Sequence, residues 1–535
     1  MASGLLMRTR NRRLLRKRPP RNTGIRRFME RRRERRRERG LQIKRRLEEL
    51  RLARRRLSGE DAGFFYLEQP NQPLGILAVA LLSPTVRSGG SARAISPERL
   101  RRHIEQRLDA LSYLRWSVRP VPGRLHHPVF VDAVDFDLDR HLAHVTLPAP
   151  GSLAELYRFL GALAQRRFDR RHPLWQITLV DGLSDNRQAL VARFHHCLFD
   201  GAAGLRTFEI LFSEEDPDER GPAEDWTPRK PPGRWRLIGN ALGDQIRALQ
   251  RVPSLISTTV SNYRALEKRR ERSVVKVPRT PKDTPPSPFA NAFTRPQVVA
   301  HASFPLADFR EIQNARGVSR FVVVAGVVAG AVRGYLADRD SLPEQPLVTS
   351  VPVSIETPDE PERTYGNHIL AFSTSLATDI VDPWERLKVI SAVAAEARGD
   401  LEVIDPELMW EWIDRIPPLI TRLITTRQYR RRRANRNVAD QNLLISSFRG
   451  PDRAWRLESS ACEEFFWFGP PNQGVGLNIT VWSYADRVIF GIEAFADALV
   501  DPGDFVAWLE RSLAELVVLA RENREEEQGH GDLVS

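Results

Sequence analysis

The sequence predicts an α/β fold made of two similar halves that are joined by a crossover linker. Runs typical of strands alternate with runs typical of helices from residue 57 to about residue 214. The same alternation returns from about residue 290, after a proline-dense stretch over residues 276–288. Because this alternation is typical of sheets covered by helices, its interruption by a linker indicates two units of that kind.

The first half, residues 57–214, contains three predicted strands and two predicted helices. The run Leu77–Leu82 is continuously apolar, which is typical of a buried strand. A Ser-Pro pair at residues 96–97 favours a helix start, and Leu153, Leu156 and Leu160 share one helical face. We therefore predict strands over residues 77–82, 174–180 and 189–194, and helices over residues 96–108 and 153–168.

The linker region, residues 215–289, contains a polar segment with prolines and an amphipathic helical segment. Residues 236–272 have helical spacing, and one face carries Leu237, Ile238, Leu242, Ile246 and Leu249. We expect this face to pack in the core, with contact to a membrane surface as the alternative.

The second half, residues 290–522, repeats the mixed pattern and is followed by a polar tail over residues 523–535. A helix is expected over residues 318–336. Strands are predicted over residues 348–355, 369–376, 442–447, 476–484 and 488–494.

The basicity of the chain belongs to one terminal segment. The formal net charge is +14, but residues 1–57 hold 24 Lys or Arg against 5 Asp or Glu, whereas the rest holds 58 against 63. Residues 1–56 are therefore a basic low-complexity extension, which we interpret as a solvated helix or a disordered arm. Anchoring to anionic lipid headgroups, adventitious nucleic-acid binding and a misassigned start codon are the alternatives. The nearly neutral body predicts no specific nucleic-acid partner.

Cysteine usage and apolar run lengths bear on the compartment. Cys197 and Cys462 are the two cysteines, which argues against a disulfide framework and favours a reducing cytoplasm. No run approaches the roughly 18–20 apolar residues that span a bilayer, and no signal peptide is evident. We expect a cytoplasmic protein that is at most peripheral on a membrane or lipid droplet.

The strongest chemical signal is the segment Phe194–Gly201, with the sequence Phe-His-His-Cys-Leu-Phe-Asp-Gly. A strand leads into it, and neighbouring strand residues point to opposite faces. We therefore expect one of His195 and His196 to face a channel while the other packs into structure. Asp200 is close enough to hold the local turn, and Gly201 permits an unusual backbone geometry.

Histidine suits proton abstraction from an alcohol, because its unperturbed pKa of about 6.5 lets it accept a proton near neutral pH. Cys197 is the rival as a nucleophile, but on an extended segment its side chain points away from that of His196. Two buried structural histidines are the remaining alternative. The other histidines (His126, His127, His141, His172 and His301 among them) show no metal-ligand spacing, so no metal site is predicted.

The chain resembles the bacterial wax ester synthase/diacylglycerol acyltransferase family. The His-His-x-x-x-Asp-Gly motif is similar to that of the wider superfamily of chloramphenicol acetyltransferase and peptide-synthetase condensation domains. The family resemblance covers roughly residues 57–520 and rests on further blocks: the opening at residues 57–65, residues 136–141 and 147–151, residues 168–175 with Pro173, Leu174 and Trp175, residues 351–354 with Gly366 and Asn367, and residues 474–484 with Asn478, Ser483 and Tyr484.

The resemblance implies a fold, a reaction and a base. It implies two chloramphenicol-acetyltransferase-like α/β halves with an active-site tunnel between them. It also implies transfer of a long acyl chain from acyl-CoA to diacylglycerol or a fatty alcohol, with no metal or redox cofactor. His196 matches the family's base, and His195 and Asp200 match residues that support the orientation of the base and the loop.

The second half departs from the family pattern in places. The Asn-Asp pair of the family aligns with Phe321-Val322, and its Asn-Val-Pro-Gly block appears only in altered form at residues 447–451. An aromatic run, Phe465–Phe468, is expected to pack in the core, with a wall of the acyl tunnel as the alternative. These departures leave two further hypotheses open: acylation of another hydroxyl, such as that of a polyketide or glycolipid, and a weakly catalytic lipid-surface binding protein.

Overall fold

Two six-stranded sheets and a small hairpin make up the β-structure of the part of the chain that the computed structural model describes. That part comprises residues 55–69, 72–84, 94–213, 226–291, 296–355, 363–404, 406–434, 440–458, 460–472 and 474–532. The predicted basic extension therefore lies outside the described residues, apart from Arg55 and Arg56. Both of these arginines are anchored, since Arg55 pairs with Asp132 and Arg56 with the buried Asp244.

The strands follow the alternation expected from the sequence. In chain order they are β1 Gly75–Pro84, β2 Trp116–Arg119, β3 Val129–Asp132, β4 Leu142–Thr146, β5 Trp175–Asp181, β6 Gln188–His195, β7 Gln297–Pro305, β8 Val348–Ser354, β9 Ile369–Ser375, β10 Leu443–Phe448, β11 Arg456–Leu457, β12 Ser460–Phe468, β13 Leu477–Tyr484 and β14 Arg487–Phe495. Each predicted strand is present within about two residues of its expected bounds, whereas β2, β3, β4, β7, β11 and β12 were not predicted as strands.

The helices begin largely at the residues that favour helix starts. They are α1 Gly59–Leu67, α2 Pro97–Glu105, α3 Leu153–Ala164, α4 Gly201–Leu211, α5 Arg234–Leu249, α6 Val252–Arg272, α7 Leu306–Arg316, α8 Arg320–Ala337, α9 Pro383–Val403, α10 Pro406–Arg415, α11 Pro418–Ala434 and α12 Pro502–Asp532. The Ser96 side chain caps α2 and Pro97 occupies its first turn, as the Ser-Pro pair predicted.

The first sheet has the strand order β11-β12-β1-β6-β5-β4, and the second has the order β7-β14-β13-β10-β8-β9. In the first sheet β6 is a central strand, paired with β1 on one side and β5 on the other. Because β6 carries His195 at its last position, both neighbouring strands fix the backbone that leads to the histidine pair. Each sheet has its own large apolar core.

One strand of the second half completes the first sheet. β12 pairs antiparallel with β1, so the aromatic run Phe465–Phe468 is a buried core strand, as expected for core packing. Its alternate residues face different partners: Phe465 packs edge-on against Phe208 of α4, whereas Phe466 stacks on His301 of β7. The two halves are therefore joined through a shared sheet as well as through the linker.

The single helix expected over residues 236–272 is two helices, α5 and α6. The break falls at Arg251, two residues before Pro253 in the first turn of α6, because proline has no N–H to continue a helical ladder. The expected core packing of the α5 face is wrong for Leu242, Ile246 and Leu249, which are exposed, although Leu237 is buried. Helical periodicity alone does not distinguish a core face from an apolar face on the surface.

α8 is the one candidate for a membrane span among the described residues, on length and composition only. Its mean hydropathy is 1.5, but 67% of it is buried inside the protein. It packs against α7, α9 and α12, and its valines belong to the second core. This environment is that of a core helix.

Candidate active site

His195 is a buried residue at the end of β6. Its side chain is 1% exposed and stacks on Phe65 of α1, with ring centroids 4.6 Å apart. The Nδ1 atom accepts a hydrogen bond from the Cys197 backbone N–H at 3.1 Å. Burial lowers the pKa of His195 to about 3, so the ring is neutral near neutral pH. These contacts give His195 a role in holding the turn that follows.

His196 lies one residue further on, and its side chain is only partly buried. The imidazole stacks on Phe64 of α1, with centroids 4.0 Å apart and planes 10° from parallel. Among the described residues, the buried His196 Nδ1 has no hydrogen-bond partner. The backbone carbonyl of His196 raises the pKa of the ring. Burial outweighs this and lowers the pKa of His196 below 6.5. The ring is therefore neutral near neutral pH and able to accept a proton.

The backbone of the histidine pair is held from both sides. The His195 N–H donates to the Leu174 carbonyl, which directly precedes β5, and the His196 N–H donates to the Leu74 carbonyl, which directly precedes β1; both distances are 2.9 Å. Two flanking strands thus fix where β6 ends and where the His196 side chain leaves it.

The chain turns immediately after His195, so the expected extended segment through Cys197 is wrong. The turn places the Cys197 N–H on the His195 ring and leaves the thiol fully buried. Burial raises the pKa of this thiol well above its usual value, because an apolar environment disfavours the thiolate. A buried neutral thiol is a poor nucleophile, which weakens the rival role of Cys197.

Asp200 is the residue that ties the motif together. Its Oδ1 caps α4 by accepting the Ala202 and Ala203 N–H groups, each at 3.1 Å. Its Oδ2 accepts from the Arg363 guanidinium at 2.7 Å and from the His368 N–H at 2.8 Å. Both carboxylate oxygens are therefore used to hold the loop and to bind the segment that carries residues 363–368.

Gly201 does not have the unusual backbone geometry that we expected. It is the first residue of α4 and is not among the residues with positive φ. A Cβ at this position would lie 3.3 Å from the Phe448 ring, so the close approach of β10 is what favours glycine. The positive φ occurs instead at Gly366, where it is +86°.

Asn367 connects the opening block of the chain to His196. Its backbone N–H and its Nδ2 both donate to Asp61 Oδ1 at 2.8 Å, and Nδ2 also donates to the His196 carbonyl at 2.9 Å. Asp61 is itself held in the capping box that Ser58 forms at the start of α1. These contacts fix the backbone from which the imidazole extends, and the Asn367 side chain also raises the pKa of the ring.

Glu60, next to Asp61 on α1, adds an uncharged carboxyl group to the same region. Burial, followed by the charges of Asp61 and Asp200, raises the pKa of Glu60 to about 9. The group is therefore protonated near neutral pH, which reduces the negative charge that surrounds the motif.

The Pro173-Leu174-Trp175 block is buried beside the histidine pair. Leu174 supplies the carbonyl that holds His195, and the Trp175 Nε1 donates to the Leu114 carbonyl at 2.7 Å. Trp175 also stacks on His141, with centroids 4.5 Å apart. The block therefore anchors the start of β5.

Asn478, Ser483 and Tyr484 lie elsewhere, in β13. Asn478 donates to the Pro470 carbonyl at 3.0 Å, and Ser483 Oγ accepts from the Gly450 N–H at 3.2 Å. The Tyr484 hydroxyl accepts from the Trp455 N–H and donates to the Cys462 carbonyl. These contacts hold the altered block at residues 447–451 and the strand β12, so the three residues support the core and not the histidine motif.

The sequence did not assign roles to Asp61, Phe64 or Arg363. The Ser58-x-x-Asp61 spacing is a capping-box signal, but it predicts only where a helix starts. Nothing in the sequence indicates that Asp61 reaches Asn367, which is 306 residues away. In the described part of the chain, no three His, Cys, Asp or Glu side chains come together as a metal site.

Comparison with family models gives two matches that together span most of the chain. The description "Wax ester synthase/diacylglycerol acyltransferase catalytic domain" matches residues 57–320, and "WS/DGAT C-terminal domain" matches residues 365–517. A putative diacylglycerol O-acyltransferase of Mycobacterium tuberculosis is 30% identical over 467 residues, which cover 86% of this chain and 96% of the relative.

Solved structures show the same architecture. The wax ester synthase/diacylglycerol acyltransferase from Marinobacter aquaeolei VT8 matches with a TM-score of 0.58 and 25% identity, over 87% of this chain and 99% of that one. The starter condensation domain of rhizomide synthetase matches in fold, with a TM-score of 0.51 and 13% identity over 87% and 94%. The predicted architecture of two chloramphenicol-acetyltransferase-like halves is confirmed. This chain belongs to the wax ester synthase/diacylglycerol acyltransferase family of acyltransferases.

Proposed function

We propose that the protein transfers a long-chain acyl group from acyl-CoA to the hydroxyl of diacylglycerol or of a long-chain fatty alcohol, with His196 as general base. The observation that carries this proposal is the state of the His196 ring: it is neutral and stacked on Phe64, and it extends from a backbone that Asn367 holds. Only a neutral imidazole can take a proton from an alcohol.

We assign the proton of the neutral ring to the buried Nδ1, which leaves the lone pair on Nε2. Nε2 is then the atom that accepts the proton of the incoming hydroxyl. Asn367 and Asp61 are positioning residues in this scheme, because they hold the carbonyl and not the substrate.

The reaction proceeds in one addition and one elimination. As Nε2 removes the hydroxyl proton, the alcohol oxygen forms a bond to the thioester carbonyl carbon. The carbon–sulfur bond then breaks, and the imidazolium returns its proton to the departing CoA thiolate. The products are the ester and free CoA, and no acyl-enzyme on Cys197 is needed, since that thiol is buried and protonated.

The acceptor alcohols are insoluble, which bears on where the protein acts. We propose a cytoplasmic enzyme that works at the surface of a membrane or lipid droplet, with residues 1–56 as an electrostatic aid to that contact. The names of the similar proteins favour diacylglycerol and fatty alcohol as acceptors.

In the test, purified protein is incubated with labelled palmitoyl-CoA and one acceptor alcohol. Dioleoylglycerol, hexadecanol and a glycolipid alcohol are assayed in parallel. Wild type should form labelled ester, and His196→Ala should lose about 10²–10⁴-fold of the rate. Cys197→Ala is the matched control, and it should keep the activity. Equal ester from His196→Ala and wild type would refute the role of His196.

The same assay separates the other hypotheses. Ester formed on the glycolipid alone would favour the alternative acceptor class, and no ester on any alcohol would favour the lipid-surface binding protein. Loss of activity in a folded Cys197→Ala protein would point to a covalent route instead.

A further inference from the structure

Three helices expose apolar stripes in place of the polar faces usual on a surface. On α5 the stripe is Leu242, Ile246 and Leu249, and on α6 it is Ile256, Val260 and Tyr263. Both follow the spacing i, i+4, i+7, which places the side chains on one face of each helix. These two helices are consecutive in the chain, with Gln250 and Arg251 between them.

The third stripe lies on α11. Leu419, Ile420, Leu423 and Ile424 are all exposed, and Leu423 keeps 68% of its surface accessible. Most of the large apolar side chains that the described residues expose lie on α5, α6, α10 and α11, whereas elsewhere they occur singly. A cluster of this kind marks an interaction surface, while single exposed apolar residues need no explanation.

The helix α11 contacts α1, which packs on His196, and α6 is connected to α1 through α10. The Thr425 hydroxyl of α11 donates to the Tyr66 carbonyl of α1 at 3.4 Å, and Asp414 of α10 accepts from the Gly59 N–H. Trp412 of α10 donates in turn to Thr259 of α6 at 3.0 Å. The helix α1 at the centre of these contacts carries Phe64, on which His196 stacks.

The charge of this face is positive. α11 contains no Asp or Glu, and Arg422, Arg427, Arg430 and Arg431 are exposed on it. Arg234 and Arg236 are exposed at the start of α5. Arginines that flank an apolar stripe are typical of helices that lie in the interface of an anionic membrane.

We propose that the exposed apolar stripes of α5, α6 and α11 form a lipid-docking face, which seats on an anionic phospholipid surface and admits the acceptor alcohol beside α1 to His196. The delivery step rests on the proposed function, whereas docking itself does not. Charge complementarity between the exposed arginines and an anionic lipid surface identifies the partner of this face. A second copy bound through the same face would place arginines against arginines, which opposes such a dimer.

The experiment compares full-length proteins, so the arginine-rich N-terminal segment is the same in each. The face variant carries Ile420→Ser and Leu423→Ser, and a second variant carries Ile256→Ser and Val260→Ser. The matched control carries Val381→Ser and Val500→Ser, which are 72% and 78% exposed but lie outside the face. Each protein is sedimented with vesicles of phosphatidylcholine and phosphatidylglycerol that contain dioleoylglycerol.

We expect each face variant to bind these vesicles at least about tenfold more weakly than wild type, because the lost side chains no longer enter the lipid. The KM for dioleoylglycerol in vesicles should rise by a similar factor, while the turnover of a water-soluble short alcohol stays unchanged. The control variant should match wild type in every measurement. His196→Ala should still bind vesicles, so docking is tested even if no ester forms.

Several outcomes would overturn the proposal. Wild-type affinity of both face variants for the vesicles would show that the face does not dock on lipid. A dimer that dissociates in the face variants, with vesicle binding unchanged, would assign the face to self-association. Equal loss of turnover on the short alcohol would show damage to the site instead of loss of delivery, and circular dichroism checks that each variant is folded.

Discussion

Two regions that carry family-like motifs, the junction around His196 and the late block in β13, serve the protein in different ways. At the junction, Asp200 and Asp61 reach across the chain to Arg363, His368 and Asn367, and each contact bears on the histidine loop. In the late block, the Tyr484 hydroxyl joins two backbone groups of its own half. The first region holds the loop that carries His196, and the second holds a strand.

This difference separates two effects that a family motif does not distinguish. Substitution at the junction should change the reaction rate, with or without a loss of stability. Substitution in the late block should change the free energy of unfolding while the rate constant of the folded protein stays the same. Measuring both the reaction rate and the free energy of unfolding therefore distinguishes motif residues that look equivalent in the sequence.

Asp200→Ala should have the largest effect. It removes the cap of α4 and the buried carboxylate of the ion pair with Arg363, which should cost about 3–5 kcal/mol of unfolding free energy. Ester formation should fall to the level of His196→Ala, because the loop that carries the base loses its anchor. Chemical denaturation and the ester assay measure the two losses. A stable, active Asp200→Ala protein would contradict the anchoring role.

Asn367→Ala should reduce the turnover number by about 100-fold, because a base displaced by a fraction of an ångström loses its alignment with the hydroxyl. A purely structural role would lower stability and leave the chemistry of the base unchanged. The pH dependence of the rate distinguishes these cases, since release of the His196 carbonyl should also move the pKa of the ring. Asn367→Ala with wild-type turnover and pH profile would break the proposed link from Asp61 to the base.

Tyr484→Phe should have a smaller and different effect. The change leaves the Trp455 N–H and the Cys462 carbonyl without their partner, which should cost about 1–3 kcal/mol of unfolding free energy. The turnover number, measured where the variant is folded, should equal that of wild type. A large drop in turnover without a loss of stability would place Tyr484 in the active site after all.

The strands of both halves could be predicted because apolar runs report local burial. The run at residues 77–82 became β1 and that at residues 348–355 became β8. The pairing of β12 with β1 could not be predicted, since an aromatic run indicates a strand but not the sheet that it joins. The exposed stripe of α5 escaped prediction for a related reason, because its periodicity equals that of a core helix.

The site was predictable to the extent that it is contiguous. Residues 195–201 form one motif, and the sequence alone indicates a base there. The contacts that hold the backbone of His196 are long-range: Asn367 lies 171 residues from His196 and 306 residues from Asp61. Periodicity carries no information about such pairs, and only the fold brings them together.

The acid limb of the rate profile gives the smallest and most direct test of the base. Burial places the pKa of His196 below 6.5, and the negative charge of Asp200 raises it part of the way back. Because only the neutral ring accepts a proton, kcat/KM should fall as the pH drops through that pKa, with a midpoint below about 6.5. Asp200→Asn should move the midpoint to lower pH still, since the carboxylate no longer favours the imidazolium.

Unfolding in acid has to be separated from this titration. His195 has a folded pKa of about 3, well below that of an unfolded histidine, so the folded state binds fewer protons and its stability falls as the pH drops below about 6.5. Circular dichroism at each pH defines the range in which the fold is intact. Within that range, a kcat/KM that falls with the same midpoint in wild type and in Asp200→Asn would show that the titrating group is not His196.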